Sequence, residues 1–159
     1  GYSPQISATG VSIIFIGGFI GKVISGKLAE MIGRKIVLVG GVAMMLAGSL
    51  LIVSSIFYKN PLLIWIGLTL YGTGWGGLYT LIQLLVADLF GLIAIGKIMG
   101  VINIIDTIGG GLGPIITAVI YDSTQSYLLP FLVISALLVI ALISSSMLKI
   151  DDEAIEQSR

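Results

Sequence analysis

Long apolar runs separated by short polar clusters dominate this chain. Apolar residues fill 7–29, 36–57, 62–89, 95–121 and 128–148 with few interruptions. Each run has the roughly 20 residues that a helix needs to cross the ~30 Å hydrocarbon core of a bilayer. None alternates apolar and polar positions over ~10 residues, as an outer-membrane strand would. The clusters between them, "EMIGRK", "YKNP", "FGLIAIGK" and "DSTQSY", are polar or turn-like. The pattern predicts an all-α polytopic membrane bundle of five transmembrane helices within residues 1–150, with a tail at 151–159. The first residue is Gly and "GYSPQ" reads as a loop, so a piece of a longer protein is expected.

Basic residues orient the bundle, because they collect on the cytoplasmic side. Lys27, Arg34 and Lys35 flank the first connection, Lys97 lies in the third, and Lys149 and Arg159 follow the last run. The opposite side has Lys59 alone. The connection after the first run, the third connection and the C-terminus are therefore expected in the cytoplasm, in a multi-pass protein of the plasma membrane.

Composition narrows the chemistry. Only 10% of the residues are charged, against roughly 25% in soluble domains. Net charge is zero, which gives no footprint for nucleic acid. With neither Cys nor His, disulfides, thiol chemistry, haem and the usual zinc sites are excluded, and no metal or cofactor is expected. "GTGWGG" sits inside an apolar run rather than between a strand and a helix, so it is not a phosphate loop. Asp106 is the only acid deep in a run, and no protease constellation can be assembled. The 22 glycines lie mostly within the runs. There, small residues let helices approach closely, since packing rather than hydrophobicity drives association in lipid.

Three polar features remain inside the runs. Lys22 shares a helical face with Gly18 and Gly26, flanked by Gly21 and Ser25. It is either a lysine that snorkels to the interface or a cation held inside the bundle to receive an anion. Asp106 belongs to the stripe Asn103, Asp106, Gly110, Gly113, Thr117, and lies roughly 16 Å along its helix from the cytoplasmic end. It is a carboxyl hydrogen-bonded to a neighbouring helix, a proton carrier or a counter-ion to Lys22. Tyr71, Trp75, Tyr79 and Gln83 recur every four residues and either pack in the core or line a cavity.

Two stretches then carry a resemblance. "GKLAEMIGRK" (26–35) resembles the cytoplasmic loop signature of the major facilitator superfamily, with Gly26, Glu30, Gly33, Arg34 and Lys35 at its positions and Glu where Asp is usual. "VADLFG" (86–91) and "GKIMGVINIIDTIGGGLGPIITAVIYDSTQSYLLPF" (96–131) look like the tenth to twelfth helices of the monocarboxylate transporter and oxalate/formate antiporter branch. The resemblance implies a fragment of a twelve-helix fold: helices eight to twelve, with partner helices one to seven outside this sequence. It implies a cytoplasmic gate at the loop signature with Asp88. It puts Lys22 where the branch has an arginine that holds a substrate carboxylate, and Asp106 where some members have a glutamate. The expected function is alternating-access transport of a small organic anion, most simply a monocarboxylate, by proton symport or anion exchange. A carrier for a sugar or a drug, and a non-transporting membrane subunit, are the other classes considered.

Overall fold

The computed structural model describes residues 4–148. Among them every element is an α-helix: α1 (Pro4–Ile32), α2 (Arg34–Tyr58), α3 (Pro61–Thr124) and α4 (Leu128–Met147). The tail at 151–159, with Lys149 and Arg159, lies outside the described residues. All four helices are long and apolar enough to cross a membrane.

The third and fourth expected spans run on as one element, α3, because the third expected connection is no loop. Leu89, Phe90, Leu92 and Ile93 all continue a helix, and the backbone leaves helical geometry only at Gly91, with φ 73° and ψ 166°. That conformation is essentially restricted to glycine. Gly91 therefore divides α3 into two arms, 61–90 and 92–124. The first connection has the same construction. α1 runs through "EMI" to Ile32, and Gly33 alone, at φ 89° and ψ 146°, separates it from α2.

The opposite ends are built differently. Lys59 closes α2 in the left-handed region at φ 49°. The Asn60 side chain then accepts from the Leu62 N–H at 3.0 Å and caps α3, with Pro61 in the first turn, where no intrahelical donor is needed. Gln125, at φ 53°, ends α3 and donates its N–H to the Tyr121 carbonyl at 2.7 Å.

Two contacts fix the topology. Arg34, the first residue of α2, pairs with Asp88 near the end of the first arm of α3. Ser49 of α2 is hydrogen-bonded to Ser135 of α4 at 2.8 Å, which sets α2 and α4 side by side. α4 starts four residues after α3 stops, so the second arm must return from the Arg34–Asp88 end to the Lys59 end. At ~1.5 Å per residue its 33 residues span about 50 Å, enough for the return. α3 thus supplies two of five apolar passes.

The first arm of α3 is wedged between α1 and α2 with almost no side chain at the crossings. A Cβ on Gly48 would lie 2.6 Å from the Gly67 carbonyl, and one on Gly67 would lie 2.8 Å from the Gly48 carbonyl. On the other side, Gly72 rests on the Ile14 backbone and Gly76 on Gly18. Where water gives no driving force, such backbone contact is what holds helices together. Towards the Gly33/Gly91 end, Ala29, Val37, Leu38, Leu81 and Leu85 form a buried cluster.

Candidate functional site

The closest approach of α1 and α3 creates an aromatic strip beside Lys22, whose side chain is exposed. Gly18 has no side chain, so the Trp75 ring lies against the α1 backbone; a Cβ there would be 3.3 Å from the indole. Phe15, one turn earlier, meets Trp75 edge-on with centroids 6.0 Å apart. Lys22, one turn later, holds its Nζ 5.2 Å from the centre of the Tyr79 ring. The negative face of the ring stabilises the ammonium without neutralising it. Phe15, Gly18 and Lys22 follow at three- and four-residue spacing on α1, so they share a face. Trp75 and Tyr79 run past them in the same direction, Trp75 beside Phe15 and Gly18 and Tyr79 beside Lys22.

This strip lies at mid-depth. Lys22 is about 15 Å of helix rise from the end of α1, and Tyr79 about 18 Å from Gly91. The buried cluster of Ala29, Leu81 and Leu85 comes next, and the Arg34–Asp88 pair closes the end of the bundle.

The four-residue stripe of α3 does not stay on one wall. A step of four residues drifts by about 40°, and three steps from Tyr71 to Gln83 carry the stripe a third of the way around. The Tyr71 backbone abuts Gly48 of α2 and its side chain is half-buried. Trp75 and Tyr79 turn to α1, and Gln83 is exposed. Phe15 was not legible as a site residue, because nothing in an apolar helix distinguishes one phenylalanine from its neighbours. Only its spacing from Gly18 and Lys22 could have pointed to it.

Arg34 and Asp88 form an ion pair, with side chains 9% and 12% exposed. Each sits at the unfavourable end of its helix. Arg34 opens α2, where the dipole is positive, and Asp88 lies in the last turn before Gly91, where it is negative. The pair offsets both penalties and ties two helix ends together. The other signature residues surround it: Gly33 is the joint itself, Lys35 is half-buried and Glu30 is exposed, while Gly26 meets Thr80 in ordinary contact.

Asp106 is not brought to Lys22. It lies on the second arm of α3, exposed, with Asn103 exposed beside it. A Cβ on Gly100, Gly109, Gly110, Gly111 or Gly113 would meet nothing within 4 Å. The stripe therefore has no partner helix among the described residues, and only a shallow hollow forms along Asn103, Ile104, Thr107 and Ile108.

Sequence comparison gives the context. The profile of the Major Facilitator Superfamily matches residues 1–158. Efflux pump dotC of Dothistroma septosporum, and the same pump of strain NZE10 / CBS 128990, are each 37% identical over 91 residues. Those residues are 57% of this chain and 15% of the pump, so the chain matches only a small part of these curated relatives' length. No solved structure matches.

Proposed function

The chain belongs to the Major Facilitator Superfamily, and from that membership we propose that it forms part of a secondary carrier for a small organic anion. In this reading it supplies helices eight to twelve of a carrier in the monocarboxylate and oxalate/formate branch. It sits in the plasma membrane with the Arg34–Asp88 end and the C-terminus in the cytoplasm. Two bundles rock about a central site near the midplane.

The observation that carries the reading is Lys22. A lysine at mid-depth is too costly to face lipid and is typically turned to a cavity or a partner. Its ammonium is held over the Tyr79 ring at 5.2 Å, and neither Asp106 nor another carboxylate is paired with it among the described residues. A solute carboxylate can therefore take it as counter-ion. Binding there, above the Ala29–Leu81–Leu85 cluster, is coupled to the gate through α1 and α3, the helices that carry the site. Opening to the cytoplasm moves the Arg34–Asp88 end of this bundle away from the helices outside this sequence. Protons or a second anion complete the cycle, with Asp106 and Asn103 facing the helices outside this sequence.

Uptake of a radiolabelled monocarboxylate by the full-length carrier in proteoliposomes tests this. Lys22→Gln should abolish uptake, and Lys22→Arg should retain part of it. Unchanged uptake in Lys22→Gln refutes the assignment. A second reading, export of an uncharged drug-like solute, draws on the similarity to an efflux pump and on the exposed Phe15–Trp75 pair. It predicts transport indifferent to Lys22.

A further inference from the structure

Phe15, Trp75 and Tyr79 do more than flank the exposed Lys22. Building on the assignment of Lys22 as the anion anchor, we propose that these three rings select the solute by its apolar body. The preferred class is a carboxylate carrying a phenyl or comparable apolar group one to two helical turns, about 6–10 Å, from its charge.

Four observations converge on this. Phe15 is 61% exposed, Trp75 40% and Tyr79 37%, so α1–α4 leave part of each ring uncovered and open to a solute. They are nevertheless ordered against each other and against the cation, Phe15 on Trp75 at 79° between planes and Lys22 on Tyr79. They form one strip with the charge at one end only, since Phe15 is seven residues and about 10 Å of rise from Lys22. Finally, side chains on a helix lean towards its N-terminus, so Lys22 leans along the strip towards Phe15, where a solute body would lie. An acid of two or three carbons reaches only Lys22 and Tyr79. A phenylalkanoate also covers Trp75 and Phe15, and its ring completes the edge-to-face arrangement that aromatic groups favour.

The test is ligand-induced thermal stabilisation of the purified full-length carrier in detergent. The series is acetate, propionate, butyrate, phenylacetate, 3-phenylpropionate and 4-phenylbutyrate, each titrated to an apparent Kd. Affinity should rise about three- to fourfold for each added methylene that reaches the strip, and the phenyl acids should exceed butyrate by at least tenfold. Phe15→Ala and Trp75→Ala should each weaken phenyl acids about tenfold more than they weaken acetate. Phe15→Leu and Trp75→Phe, which keep most of the packing, should do so more weakly, which separates lost recognition from lost folding. Equal affinity across the series, or a slope untouched by all four substitutions, overturns the aromatic selection while Lys22→Gln still decides the anchor. Absence of binding by every acid overturns both the anchor and the selection.

Discussion

Substituting Gly48 by alanine isolates the force that holds α2 against α3. The added Cβ would lie 2.6 Å from the Gly67 carbonyl oxygen and 2.7 Å from the Tyr71 nitrogen. Both are backbone atoms, so no side chain can swing aside. Ordinary contact begins near 3.4 Å, so the helices must part by about 0.8 Å, the difference between 3.4 and 2.6. Overpacking of this kind costs about 1–3 kcal/mol. Alanine also restores about 0.5–1 kcal/mol of helix propensity, which must be separated from the clash. Gly40, eight residues earlier on α2, has nothing within 4 Å of its would-be Cβ and gains the same propensity. The difference between Gly48→Ala and Gly40→Ala therefore reports the clash alone. It should be about 1–3 kcal/mol, or roughly five- to 150-fold in the unfolding equilibrium. Reversible unfolding of the full-length carrier in mixed micelles, followed by circular dichroism, measures it. Equal stability of the two variants would refute the claim that backbone contact at glycine joins these helices.

Other contacts make equally definite demands. Arg34→Gln or Asp88→Asn alone should destabilise by about 3–5 kcal/mol, since each strands a poorly hydrated charge at the wrong end of a helix; a double-mutant cycle in thermal unfolding should show the pair of changes costing less than their sum. At the α2–α4 seam, Ser135 donates to the Phe131 carbonyl at 2.8 Å, so Ser49 must be the donor in the Ser49–Ser135 bond. Ser135→Ala, which orphans a fully buried Ser49 hydroxyl, should cost about 1–3 kcal/mol, more than the ~0.6 kcal/mol typical of Ser49→Ala, in the same unfolding assay. Gly91→Ala forces a side chain into a conformation reserved for glycine and should cost about 1–3 kcal/mol, whereas Gly96→Ala should not destabilise; thermal melts of the two variants decide.

What could be read from the sequence, and what could not, follows from the physics of each feature. Apolar length is a one-dimensional property, and all the apolar runs are helical where described. The joints were misjudged because "FGLIAIGK" has the composition of a loop, while a single glycine suffices to turn the chain and let the helix resume. The glycine faces were legible as periodicities, but not which glycine meets which: Gly72 and Gly76 face α1, Gly67 and Gly74 face α2. Arg34 and Asp88 were each expected at the gate, and the structure joins them to each other. Lys22 and Tyr79 were both named from their own helices, but their meeting depends on how far α1 and α3 slide along their glycine contact. Phe15, Ser49 and Ser135 were not singled out, because in an apolar helix neither a phenylalanine nor a serine reveals its partner.

The most direct test of the account is charge rescue at position 22. These 159 residues contain no cysteine, so Lys22→Cys introduces a unique thiol among them. Carboxylate uptake by that variant in proteoliposomes is measured before and after 2-aminoethyl methanethiosulfonate, which attaches an ammonium through a disulfide, and after the neutral methyl reagent. The account predicts that uptake is lost in Lys22→Cys, returns in part with the ammonium and does not return with the methyl group. Full uptake without modification, or equal recovery with both reagents, would contradict it.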